Sequence, residues 1–287
     1  MFDRTSAGWN LSKQSWQVLK LDKELILFPL LSGIACLLVT ASFAVPVLAL
    51  VEVDRPTSQT ATADGSQTSP TDVLTFLGAL AYYVANYFVI IFFNSALIAC
   101  ALIRFKGGNP TLRDGFSAAF ARLPQIFCWA LVAGTVGMLL RMLQSNTENR
   151  LSRFLVSLLG VAWSSATYFV VPVIVVEKLG PLAAGRRSLD ILRSTWGESL
   201  GARFGIGCIV ALMMLVSFVP VIVGVVCWGI GQPVVGIPLV LAGLGMLMSV
   251  VLISSALESI ILAALYLYAA EGRIPDQFQG DAIQSAF

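Results

Sequence analysis

SSALESIILAALYLYAAEGRIP, residues 254–275, closes an apolar run that begins at Pro233 and holds a single acid, Glu258, before Glu271. A run this long exceeds the about 20 helical residues that cross a bilayer. It therefore reads as a membrane span, in which an acid costs at least a few kcal/mol unless it faces the bundle interior. The pattern recurs upstream as NSALIACALIRFKGGNP, 94–110, and SSATYFVVPVIVVEKLGP, 164–181. Each copy opens on a polar residue followed by Ser-Ala, runs apolar, and closes on a charged exit containing Gly and Pro.

Composition agrees with a membrane setting. The chain has 287 residues, 57% hydrophobic and 12% charged, with mean hydropathy +0.84, against about 25% charged residues in an ordinary soluble domain. Too few polar side chains exist to cover a water-facing surface, so much of the surface faces lipid. Histidine is absent, which removes the commonest general base and the commonest metal ligand. Cys36, Cys100, Cys128, Cys208 and Cys227 all sit in apolar runs, without a CxxC pair, and read as small buried fillers. No cofactor, metal or nucleic-acid partner is expected.

Six runs are long enough to span, at 25–51, 73–103, 123–143, 154–176, 204–230 and 234–270. The first is too long for a signal peptide and shows no convincing cleavage site. One side of this arrangement collects Arg4, Lys13, Lys20, Lys23, Arg104, Lys106, Arg113, Arg122, Lys178, Arg186, Arg187, Arg193, Arg203 and Arg273. The other holds Arg55, Arg141, Arg150 and Arg153. Positive charge accumulates on the cytoplasmic side, so both termini are expected there, with the tail at 271–287. The external segment 53–72, rich in Ser, Thr and Gln, reads as a flexible spacer.

What precedes the odd-numbered spans repeats more weakly. Residues 8–19, 111–123 and 182–196 each fit a short amphipathic helix. In the third, Leu182, Leu189, Leu192 and Trp196 form one stripe, and Arg186, Arg187, Asp190 and Arg193 the other. Such helices either lie in the headgroup layer, basic side toward anionic lipid, or pack as charged loops on the bundle. Lys13, Arg113, Arg186, Arg187 and Arg193 are the expected lipid-facing cations. The fold class is thus all-α and polytopic: three two-span repeats, about 1–106, 107–178 and 179–273, each led by an interfacial helix, around a pseudo-threefold axis. Mitochondrial carriers also have three two-span repeats, but with the helix inside each unit and a signature absent here.

Aligning Ala96, Ala166 and Ala256 places Glu258 opposite Ile98 and Tyr168, so the repeat itself needs no acid there. Counted back from Ala270 at 1.5 Å per residue, Glu258 falls about 18 Å from the cytoplasmic face, near the midplane. Its expected partners are neutral, among them Asn94, Asn86, Tyr168 and Ser165. Either Glu258 makes one interhelical hydrogen bond, or these residues line a proton, cation or small-solute site. The glycines of GTVG (134–137), GARFGIG (201–207) and GLG (243–245) read as close helix contacts, and Arg141 and Glu177 as span ends that snorkel to the interface.

The opening SAGWNLSKQSWQVLKLDKELILFPLLSG, 6–33, with the six spans after it, resembles an uncharacterised bacterial family of six-span inner-membrane proteins. EKLGPLAAGRRSLDILRSTWG, 177–197, is similar to a motif in the membrane domain of some glycerophosphodiester phosphodiesterases. Their soluble catalytic domain has no counterpart here, so the likeness implies location and no activity. The expected function is non-enzymatic: a scaffold or partner subunit that organises lipid, or a protein partner, at the cytoplasmic membrane face. The alternative is a permease with a central site near Glu258. An intramembrane enzyme lacks HExxH, a histidine beside a serine, a second buried carboxylate and a buried lysine.

Overall fold

A computed structural model describes residues 2–53, 70–145, 149–194, 199–275 and 278, with side chains for 12–44, 73–145, 149–193, 210–275 and 278. The loop expected at 53–72, most of the tail and Trp196 thus lie largely or wholly outside the described residues, and Cys208 and the GARFGIG glycines are described only as backbone of α9. Every regular element described is a helix: α1 Phe2–Leu21, α2 Leu27–Val53, α3 Pro70–Phe105, α4 Leu112–Phe120, α5 Leu123–Ser145, α6 Arg150–Ala166, α7 Val170–Glu177, α8 Pro181–Ser194, α9 Ser199–Gly229 and α10 Pro233–Glu271. A 3₁₀ turn, Lys23–Ile26, joins α1 to α2. Among the described residues six helical segments are long and apolar enough to cross a membrane, at the places the apolar runs predicted.

The fourth span is not continuous. Pro172 has no N–H to give the carbonyl of Tyr168, four residues back, and the helix breaks at 167–169 between α6 and α7. Ser188 of α8, wholly buried, covers the break. Its Oγ accepts from the Phe169 N–H at 3.1 Å and donates to the Ala166 carbonyl at 2.8 Å.

α3, α7 and α10 pack on one another at the centre. α4 lies on α3, α8 on α7, and α1 on α9 and α10. α4 runs antiparallel beside α3: the Thr111 carbonyl meets Cys100 Sγ at 3.5 Å, Gly115 backs onto Ala96 and Cys100, and the Phe120 ring meets Phe92 at 5.1 Å. Gly115 is needed for this approach, since a Cβ there would fall 2.6 Å from Cys100 Sγ and 2.9 Å from the Ala96 carbonyl. α9 and α10 form a tight hairpin, in which a Cβ on Gly236 would stand 2.7 Å from the Gly224 carbonyl and one on Gly243 2.8 Å from Val221 N. Gly134 and Gly137 likewise admit Val84 and Tyr87.

Large exposed apolar side chains occupy a belt. It runs from Val234 to Val251 on α10, Leu212 to Trp228 on α9, Leu151 to Val161 on α6, Phe127 to Leu143 on α5, Val73 to Ile90 on α3, and from Leu27 on α2. On α10 the belt is about 26 Å tall at 1.5 Å per residue, close to the about 30 Å of a hydrocarbon core. Past its edge α10 becomes core instead: Ala256, Ile260, Ala263 and Ala264 are fully buried and Tyr266 nearly so. α1, α4, α8 and the ends of α3, α7 and α10 thus build a helical collar on one side of the belt. Its outer surface carries exposed Arg113, Asp114, Arg186, Asp190, Arg193 and Glu258. Each of these charges would cost several kcal/mol in hydrocarbon, which favours water or headgroups around the collar.

Candidate functional site

Glu258, expected to point into the bundle at the midplane, is exposed. It stands seven residues, about 10 Å, past Val251, the last exposed large apolar residue of α10. The last third of α10 is collar core, so a count back from Ala270 does not measure depth in hydrocarbon. The acid in an apolar run is a surface residue of the bundle.

The other expected members of that site sit on α3 and on the fourth span near its break. Asn86 and Asn94 lie on α3, Ser165 on α6 and Tyr168 in the break, all half-buried. Asn94 is thirteen residues before Gly107, Ser165 thirteen before Lys178, and Glu258 fourteen before Gly272, the three left-handed residues that end the central helices. The fold thus brings them to a common level, at the collar's inner edge. Asn86 stands higher in the belt and gives its amide to the Tyr82 carbonyl of its own helix at 3.0 Å.

Two polar clusters that sequence reasoning missed lie deeper in the collar. Arg187 Nε donates to both Glu177 oxygens, at 3.0 and 3.1 Å, and the Tyr266 hydroxyl donates to Glu177 Oε1 at 2.9 Å. The carboxylate beside it holds the Arg187 guanidinium above its already high pKa. Glu177, expected to snorkel, is instead the acceptor that ties α7, α8 and α10 together, and Arg187 is spent on it rather than turned to lipid. In the second cluster Arg104 binds the buried Asp22 through two nitrogens and reaches Asn109 at 2.6 Å. Both clusters join residues far apart in the chain, and no spacing rule announces them.

Of the helices expected at the interface, α4 runs alongside α3 and α8 alongside α7. Arg113 follows Thr111, which meets Cys100, ten residues beyond Ile90; Arg113 is thus about 15 Å past the belt edge. Arg186 precedes Ser188 on the stretch of α8 that runs from the Lys178 exit to the break. Arg193, five residues beyond Ser188, comes back toward the belt edge, and Lys13 is exposed on α1. The stripe expected on α8 is also rotated: Leu182 is 73% exposed, and the buried face is Ala184, Ser188, Ile191 and Leu192. Ser188 explains the rotation, because its bonds to the break must face inward.

Among the described residues no three potential metal ligands of the His, Cys, Asp or Glu type come together. The Glu177 and Asp22 clusters tie helices together. An all-helical bundle with six membrane-capable helices and a charged collar defines a multi-pass membrane protein. Within that class the chain belongs to a family of unknown function (DUF6159), whose pattern matches residues 73–276. No curated protein matches it.

Proposed function

We propose that this protein is a non-enzymatic scaffold or partner subunit of the bacterial inner membrane, with both termini and the collar in the cytoplasm. The observation that carries the reading is the collar: a packed body outside the belt in which Arg104 and Arg187 are held by Asp22 and Glu177 and other charges are exposed. The lysine and arginine bias supplies the orientation. Arg193, near the belt edge, is the cation best placed for anionic headgroups. The permease alternative loses the midplane depth of Glu258 that motivated it.

The same reading takes the chain as three repeats about an axis along the membrane normal. Gly107, Lys178 and Gly272 all adopt left-handed φ, at 81°, 61° and 66°, and each has a proline three residues on. The helix leading each unit packs on the preceding unit: α4 on α3, α8 on α7, and α1 on the last unit. This exit register supersedes the Ser-Ala register and sets Glu258 opposite Phe93 and Ser164.

The test is affinity purification of the tagged full chain from its own membranes in mild detergent, with mass spectrometry of what co-elutes. A stoichiometric protein partner supports the scaffold reading. A protein that elutes alone and transports a solute after reconstitution, in a Glu258-dependent way, refutes it.

A further inference from the structure

We propose that the face of the collar farthest from the belt, where α3, α7 and α10 end, docks an acidic, leucine-bearing segment of a soluble protein. The proposal deepens the scaffold reading and rests on it.

Each of the three central helices ends with an exposed cation at or beside its left-handed residue: Lys106, Lys178 and Arg273. The exits are tied together from below. Tyr266 of α10 bonds Glu177, the neighbour of Lys178. The Phe278 ring, past Arg273, packs on Phe105, the neighbour of Lys106, at 5.6 Å. None of the three cations forms an ion pair with another described residue, whereas the half-buried Arg104 and Arg187 are held by Asp22 and Glu177. Exposed Glu271 and Glu24 weaken the field at the rim without pairing with any of the three.

A second, independent feature shares this level. Leu182, four residues past Lys178, is 73% exposed, and Leu21, beside Asp22, is 66% exposed. Lipid does not account for them. Gly107 lies seventeen residues beyond Ile90, Lys178 seventeen beyond Val161, and Gly272 twenty-one beyond Val251, or about 25–31 Å at 1.5 Å per residue. The Debye length at physiological salt is about 8 Å, so the headgroup charge of the bilayer is screened there. Cations flanked by exposed leucines fit a partner that brings carboxylates and apolar side chains together. Single-stranded nucleic acid would instead want aromatic stacking platforms along a cationic groove, and the exposed large side chains here are leucines.

The experiment uses the full chain in nanodiscs of neutral phosphatidylcholine. Its probe is a fluorescent twelve-residue peptide carrying five Glu and two Leu. The triple variant Lys106→Gln, Lys178→Asn, Arg273→Gln is expected to weaken binding at least tenfold, and Leu182→Ser at least threefold. Asn is chosen at 178 because it tolerates left-handed φ, and unchanged thermal unfolding certifies the fold. The charge-matched control Lys13→Gln, Arg113→Gln, Arg186→Gln is expected to change binding less than threefold. The proposal is overturned if the control weakens binding as much as the exit triple. It is also overturned if an oligodeoxynucleotide of equal charge binds the wild type as tightly, or if phosphatidylglycerol in the nanodisc abolishes peptide binding by occupying the site. A protein that elutes alone and transports a solute in a Glu258-dependent way sinks the scaffold reading without altering this titration, so the two failures are distinguishable.

Discussion

Ser188→Ala should be among the most damaging single-atom deletions in the collar. The hydroxyl closes the break in the fourth span by satisfying the buried N–H of Phe169 and the carbonyl of the half-buried Ala166. Ser188 is 0% exposed and Phe169 1%, so water does not readily replace the hydroxyl at the N–H. An orphaned buried group costs about 1–3 kcal/mol, and the Ala166 carbonyl, partly open to water, adds less. The matched control is Ser249→Ala, whose hydroxyl also bonds a backbone carbonyl, of Gly245 at 2.8 Å, but on an exposed face of an unbroken helix. That change should stay within about 0.5 kcal/mol. Both variants are read by denaturant unfolding in one detergent, following tryptophan emission. Two of the six tryptophans report on this region, because the Trp129 and Trp163 rings stack at 6.0 Å beside α8 and a Cβ on Gly185 would sit 3.9 Å from Trp129. If the two serines cost the same, the break does not depend on Ser188 and the account of α8's orientation fails.

Glu258→Cys in a cysteine-free background should react with a membrane-impermeant maleimide added from the collar side, while Met246→Cys, inside the belt, should not. Protection of both would return Glu258 to the hydrocarbon. Gly243→Ala should destabilise the α9–α10 hairpin by about 1–3 kcal/mol, since its Cβ would press on Val221 and Pro220. Gly245→Ala, with nothing within 4 Å of its Cβ, should be neutral or slightly stabilising, and equal melting points for the two would contradict the packing. Asp114 closes a capping box with Thr111, whose hydroxyl and N–H hold the carboxyl below its ordinary pKa. A depressed carboxylate stabilises above the unfolded value of about 3.9, and that stability is lost as pH falls through the folded value. Wild type and Asp114→Asn should therefore melt differently at pH 7 and converge toward pH 3; a constant gap would show that the charge is irrelevant.

The membrane spans were legible because hydrocarbon selects long apolar runs whatever their neighbours do. The collar was not, for a physical reason: Ala256 to Leu267 are apolar because proteins surround them, and composition cannot tell a protein-lined helix from a lipid-lined one. Glu258 was the sign of the change in surroundings, and it was read as an anomaly within lipid. Pro172 was available as a break signal but lay inside a run that read as one span. Gly107 and Gly272, each followed by proline three residues on, were readable as helix stops; Lys178 in the same role was not. The Glu177–Tyr266 contact joins positions 89 apart, and only the packing of α7 on α10 creates it. Ser188 sat amid polar residues of an amphipathic helix, so its side looked like the wet one.

The packing of α4 on α3, α8 on α7, and α1 on α9 and α10 bears on how the chain is made. As synthesis proceeds from the N-terminus, the gap at 167–169 has no cover until residue 188 has emerged, so the fourth span is finished only when α8 has been made. α1 has the opposite experience. Its buried Val18 and Leu19 belong to a helix that packs on α9 and α10, so it waits through nearly the whole of translation for its partners. A nascent chain stalled before α9 would show that face to whatever is nearby, chaperone or protease. The last helices made are the ones that close the circle on the first.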